Sequence, residues 1–166
     1  MKFLVREIRA SKREGQKKGT LHFQRWRMLP FGIPWFNIYI HIIYKGSKDK
    51  YCHDHPWPFL SLILWGGYTE QKRKNLGYTY DPRLDKNELN VGEPVLRKRG
   101  FLNLAFMNKW DFHNLHELHS TTVTLVITGK RKGVWGFYLH DLKKWVSQKT
   151  FSKMKGKGEI TNREDL

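Results

Sequence analysis

The chain has 166 residues, 39% hydrophobic and 14% aromatic, with one cysteine and a net charge of +16 from 31 basic and 15 acidic side chains. That length suits one domain with a full-sized core. No apolar run reaches the roughly 18 to 20 residues of a membrane span, the N-terminal residues 1–7 lack the apolar core of a signal peptide, and a lone Cys52 excludes an intrachain disulfide, so the expectation is a soluble cytoplasmic protein with no membrane partner.

Many short apolar runs separated by Gly, Pro and Asn favour strands over helices, which makes the expected class mainly β. Residues 1–20 read as a terminal strand or short helix followed by a basic loop. Residues 21–29 are a candidate strand with Leu21, Phe23, Arg25 and Arg27 on one face. Two prolines and a glycine set a turn at 30–34. The next strand, 35–44, places Phe36, Ile38, Ile40, Ile42 and Tyr44 on one face and Asn37, Tyr39, His41 and Ile43 on the other. His41 suits either a pocket or a hydrogen-bonded structural role.

After a polar loop comes His53-Asp54-His55-Pro56-Trp57-Pro58, then the apolar run 60–65 and Gly66-Gly67. Two imidazoles at i, i+2 project from one side of an extended segment, which is chelating geometry. The alternative is a polar stretch beside prolines with no ligand role. The Gly-Gly step is expected to close a hairpin onto 68–74. Residues 75–93 read as a long irregular excursion with one short strand at 78–80, and 94–99 and 101–107 as short strands. Three histidines follow at i, i+3 and i+6: His113, His116 and His119. In an extended segment His113 and His119 share a face with Leu115 and Glu117; in a helix all three histidines line one face. The β-branched run 121–128 is the clearest strand in the chain. Residues 134–139 are its expected partner and 143–146 a further edge. The domain is expected over 21–151, with a flexible tail over 152–166.

Charge is segregated. Residues 51–70 and 110–129 contain no Lys or Arg and carry −2 each, so the rest carries +20, and five of the eight histidines lie in those two segments. A metal site under a basic exterior fits this pattern. His53, His55 and one of His113, His119 or His116 are the candidate ligands, with His113 preferred. Three imidazoles with open positions suit Fe(II), Zn(II), Ni(II) or Cu(II). Asp111 and Glu117 are candidates to orient imidazoles, and Tyr39, His41, Trp57, Tyr68 and Glu70 to line the pocket.

These motifs resemble the cupin superfamily. His53, Asp54, His55 and the strand to Gly66 are similar to its first motif, and Trp110-Asp111-Phe112-His113 to the histidine-bearing turn of its second. The set Arg25-Trp26-Arg27, Pro34-Trp35-Phe36-Asn37-Ile38-Tyr39-Ile40-His41, His53-Asp54-His55-Pro56-Trp57, Gly66-Gly67-Tyr68 and residues 124–129 with Trp135-Gly136-Phe137 resembles a family of small cupin-like proteins of phages and bacteria, over about 21–146. The resemblance implies a double-stranded β-helix (jelly-roll barrel) and, if phage-encoded, the host cytoplasm. The glutamate ligand of many cupins would fall near Phe59 or Leu60, and the second motif's proline is missing. What remains is a three-histidine pattern similar to that of thiol dioxygenases.

The implied function is a metal-dependent enzyme, a mononuclear non-haem iron oxygenase in preference to a hydrolase or isomerase, acting on a small polar or anionic substrate. A second reading is a non-catalytic binder of a nucleotide or nucleic acid through the basic triplets Arg97-Lys98-Arg99, Lys130-Arg131-Lys132 and Lys72-Arg73-Lys74. A third is an assembly component, with a homodimer formed through an edge strand from 21–44.

Overall fold

The structure, a computed structural model, describes residues 5–11, 20–29, 35–44, 50–81 and 86–160. The expected turn at 30–34 and most of the polar loop before His53 lie outside these residues. Thirteen strands are described: β1 Val5–Ser11, β2 Thr20–Arg27, β3 Asn37–Ile43, β4 Phe59–Trp65, β5 Tyr68–Arg73, β6 Asn75–Asp81 and β7 Lys86–Val91 in the first half. The second half holds β8 Val95–Arg99, β9 Leu104–Met107, β10 Phe112–Leu118, β11 Thr122–Thr128, β12 Gly136–Leu139 and β13 Lys144–Ser147, with one helix, α1, Gln148–Gly156. Within the described residues no helix is long and apolar enough to cross a membrane.

Two sheets face each other. One has six strands in the order β1-β2-β3-β11-β4-β9; the other joins β10-β5-β8 to the β12-β13 pair through His53, which bridges both His113 and Phe137. This is the jelly-roll arrangement expected of the chain. The β-branched run forms β11 and sits centrally, paired with β3 on one side and β4 on the other.

Several local expectations change. Gly66-Gly67 does not close a hairpin: β4 pairs with β11 and β9, whereas β5 pairs with β10 and β8, so the glycines carry the chain from one sheet to the other. Gly66 has φ +74°, and a Cβ on Gly67 would lie 2.5 Å from the Arg99 carbonyl oxygen, a crossing too tight for any side chain. The 75–93 excursion is instead the β6–β7 hairpin. Residues 136–139 pair with β13, not with β11. Thr20 lies inside β2, and β1 pairs with β2 in the same sheet. The expected tail begins inside α1, because Phe151 is buried against Tyr51, Leu139 and Val146.

Alternation on the two sheets positions everything else. The apolar core lies behind the His53 segment, where Cys52 packs with Leu89, Phe112 and Tyr138. The space between the sheets is a cavity of about 440 Å³. On the outer side of the six-stranded sheet, cross-strand pairing aligns three apolar rows. One runs Ile38, Ile127, Leu60, Phe106. The next runs Trp26, Ile40, Leu125, Leu62, Leu104. The third runs Gln24, Ile42, Val123, Trp65.

Candidate metal centre

The period of two in an extended backbone divides His53-Asp54-His55 between cavity and core. His53 is locked by reciprocal 2.9 Å backbone hydrogen bonds with His113, one in each direction. Asp54 points the other way. Its carboxylate accepts the Gly136 N–H at 2.6 Å and the Trp145 indole N–H at 3.0 Å, while the Asp54 N–H donates to the Gly136 carbonyl. A Cβ on Gly136 would collide with the Val146 carbonyl oxygen, so only glycine admits this approach. Burial pushes the Asp54 carboxyl up to about 6 even against these donors.

Two imidazoles from this segment meet a third from β10. His53, His55 and His113 each offer a ring nitrogen, and the three lie within 4.8 Å of one another. The Nε2 atoms of His55 and His113 approach to 2.8 Å. Burial and the neighbouring His53 and His113 hold His55 well below the usual imidazole range, in the neutral form that ligates metals.

Behind His113 stands a buried relay. Glu70 lies diagonally across the β5–β10 pairing. Its Oε1 is 2.8 Å from His113 Nδ1, and its Oε2 accepts two N–H bonds from Arg99 at 2.9 and 3.0 Å. Burial alone would raise this carboxyl, but hydrogen bonds from His113 and Arg99 outweigh it and hold it at about 2. With Nδ1 engaged by a carboxylate, Nε2 of His113 is the nitrogen turned to the cluster.

The other two histidines of the cluster stand elsewhere. A β-bulge between Leu115 and Glu117 shifts the strand's phase, leaving His116 exposed and Glu117 exposed beyond it. His119 bonds Thr69 Oγ1 at 2.9 Å. Asp111 pairs with Lys72 at 3.2 Å rather than with an imidazole.

Tyr39, His41, Trp57 and Tyr68 all line the cavity, with His53, His55 and His113. Burial, and then the Glu70 charge, push the Tyr68 phenol up to about 12. Of the basic triplets, only Arg131 lines this cavity, lying over the Trp57 ring at 5.9 Å. Arg97 and Lys98 are exposed on β8, while Arg99 is buried on Glu70. Lys130 and Lys132 border a separate shallow pocket with Pro58, Asn108 and Lys109.

Arg25 is the charged residue of the described lining that the sequence left unassigned. Its guanidinium lies 5.0 Å from the Tyr39 ring and 5.6 Å from Phe23, and it stands opposite His41 in the β2–β3 pairing and opposite Glu7 on β1. The signal was present in its phase: an arginine on the same strand face as Phe23 must be accommodated inside. The described lining thus holds two arginines and no carboxylate.

No protein-family model matches the sequence, and no curated protein is similar to it. Among solved structures, the chain is similar to a cupin 2 conserved barrel domain protein from Rhodopseudomonas palustris, with a TM-score of 0.51 at 8% identity over 96% of this chain and 90% of that one. It is also similar to Streptomyces albus HEPD, which holds 2-hydroxyethylphosphonate and Fe(II), with a TM-score of 0.51 at 8% identity. That match covers 77% of this chain and 24% of the other. A third similarity, to Fe(II) HppE, has a TM-score of 0.47 at 9% identity and covers 74% of this chain, which spans 56% of that one. At such identities the two likenesses with TM-scores of 0.51 define the fold alone. The chain has a cupin-type fold, with three imidazoles gathered inside it.

Proposed function

We propose that this protein binds a divalent metal through His53, His55 and His113 and is a metal-dependent enzyme acting on a small anionic substrate. The observation that carries the reading is the convergence of three ring nitrogens within 4.8 Å. Ligands at the ~2.0 to 2.1 Å bond lengths of imidazole on a first-row metal stand roughly 3 Å apart, which the 2.8 Å approach of His55 and His113 nearly meets. The donor set fits: His55 is held neutral, and the Glu70 carboxylate fixes the ring of His113 from behind.

When bound, such a metal supplies open coordination positions and Lewis-acid or redox reactivity to a small ligand. The protein's own residues do the rest. Glu70 and Arg99 orient His113, Tyr68 offers a phenol that stays protonated, and Trp57 with Trp135 walls the cavity. Arg25 and Arg131 give that cavity its affinity for an anion. Fe(II) is preferred over Zn(II), Ni(II) or Cu(II) by analogy with HEPD, which holds Fe(II) on the same fold, and an oxygenase over a hydrolase or isomerase by the resemblance of the three-histidine pattern to thiol dioxygenases.

Elemental analysis of untagged protein tests the reading. Near-stoichiometric metal in the wild type, lost in both His53→Ala and His113→Ala, is the expected result. Protein that takes up neither Fe(II) nor Zn(II) on anaerobic reconstitution would sink the three-histidine site.

A further inference from the structure

The cavity is larger than the anion that its arginines would hold. At about 440 Å³ it falls in the ~300 to 1,000 Å³ range of pockets that enclose an organic ligand with a body of its own, whereas a phosphate or carboxylate group is only a few heavy atoms across. What fills the remaining space has to suit the walls. Six rings line them: Phe23, Tyr39, Trp57, Phe59, Tyr68 and Trp135. They come from β2, β3, β4 and β5 and from the segments that lead into β4 and β12, so aromatic surface faces the space from both sheets.

The same rings enclose the imidazoles. The centroid of Phe59 lies 4.8 Å from that of His55 and 5.9 Å from that of His113, and Trp135 stands 5.8 Å from His53. Trp57 and Trp135 are only half-buried, so each keeps indole surface that a ligand can cover. Such surface attracts a further ring, stacked with an offset or meeting it edge-on. Both cavity arginines also lie against rings, Arg25 over Tyr39 and Phe23 and Arg131 over Trp57. Cationic and aromatic surface therefore stand side by side, as a ring bearing an anionic group requires.

The polar groups of the described lining narrow the class further. It holds no carboxylate and no side-chain amide. The Thr128 hydroxyl donates to the Asn37 carbonyl at 3.4 Å, and the Tyr68 phenol is hydrogen-bonded to Ser61. An amino acid would place its ammonium group beside two guanidinium groups, and a sugar would bring more hydroxyls than this lining can bond, each at the cost of a desolvated polar group. We propose that the substrate is an aromatic acid, in which one flat ring packs against Trp57, Phe59 and Trp135 and carries an anionic group that Arg25 or Arg131 holds. The inference rests on the reading of this cavity as the substrate site of a metal enzyme, and adds to it the body of the molecule that the anionic group belongs to.

Three phosphonates of similar charge test this, titrated by calorimetry into the full chain as purified and after a chelator has removed any metal. Phenylphosphonate should bind about 10 to 100-fold more tightly than methylphosphonate, the range for stacking one ring on an aromatic side chain. Cyclohexylphosphonate has as many carbons but no flat face, and should bind about fivefold or more weakly than phenylphosphonate. Trp57→Leu and Trp135→Leu keep apolar bulk and lose the indole, and at least one of them should lower the phenyl-to-methyl ratio about tenfold, with far-UV circular dichroism reporting that the fold is intact. Where a leucine variant fails to fold, the comparison of phenyl with cyclohexyl in the wild type still decides. A phenyl-to-methyl ratio below about twofold, a cyclohexyl ligand held as tightly as the phenyl one, a ratio unchanged in both folded variants, or binding of none of the three overturns the proposal. If the expected ratio is found in protein that takes up no metal, the aromatic site stands and the metal reading alone fails.

Discussion

The Glu70 carboxylate touches His113 with one oxygen and Arg99 with the other, and its side chain is only 3% exposed. Replacing it with glutamine keeps the shape and removes the charge that fixes the imidazole. Glu70→Gln should therefore lower metal affinity about 10 to 100-fold, measured by competition with a chromophoric chelator, while the protein stays folded. Arg99→Met acts differently. It strands a buried carboxylate with one partner fewer, and loss of one member of such a pair costs about 3 to 5 kcal/mol, to be read from urea denaturation at neutral pH. Tyr68 gives the pH dependence at this scale. Its phenol is raised from the usual value near 10 to about 12, so the folded state holds this proton more tightly than the unfolded chain. The associated stability is fully present below pH 10 and is lost as pH rises to 12, amounting to about 3 kcal/mol for two units. Denaturation curves at pH 8 and 11 should show a smaller alkaline loss in Tyr68→Phe than in the wild type; equal losses would show that Tyr68 is not the group responsible.

Individual elements differ in how plainly the sequence announces them. β11 is legible because seven residues of nearly unbroken β-branched character admit no other structure. The chelating pair His53 and His55 is legible because period two is all that it requires. The phase of β10 is not, since the bulge at His116 depends on pairing with β5, a contact about fifty residues away. Nor is the destination of Gly66-Gly67: a glycine pair permits a sharp turn equally in a hairpin and in a crossing between sheets, and only the Arg99 and Thr121 backbones packed around it decide. Arg25 and the Glu70–Arg99 pair were hidden for a related reason, as charged residues become interior only once the opposing strand supplies partners. Gly136 lets β12 approach β13 and Asp54 together, which argues for a test on the element as a whole. Gly136→Ala should separate the pair, release the Asp54 carboxylate from the Gly136 N–H, and destabilise the fold by about 2 kcal/mol or more, with metal content falling because Asp54 sits between two of the candidate ligands.

Across the whole molecule the question is which of the 31 basic side chains act on a ligand, because +16 of net charge attracts any anion at long range. Exposed charges are screened beyond about 8 Å at physiological salt, whereas those facing a partly enclosed cavity are screened much less. Arg97 and Lys98 belong to the first kind, exposed on β8. Arg25 and Arg131 belong to the second, since both line the cavity that holds the histidines. Inorganic phosphate or methylphosphonate, titrated at physiological ionic strength and followed by calorimetry or tryptophan emission, separates them. Arg25→Gln and Arg131→Gln should each weaken binding about tenfold, the loss expected for one charge-assisted hydrogen bond, and the paired Arg97→Gln with Lys98→Gln should leave it within about twofold. The cavity arginines would then define a small anionic substrate. If the surface pair carried the loss and the cavity arginines did not, the charge would instead serve a polyanion, and binding would fall steeply with salt as phosphate contacts on a nucleic acid do. Trp57 and Trp135 make the distinction visible, because both line the cavity and only a ligand that enters it should change their emission.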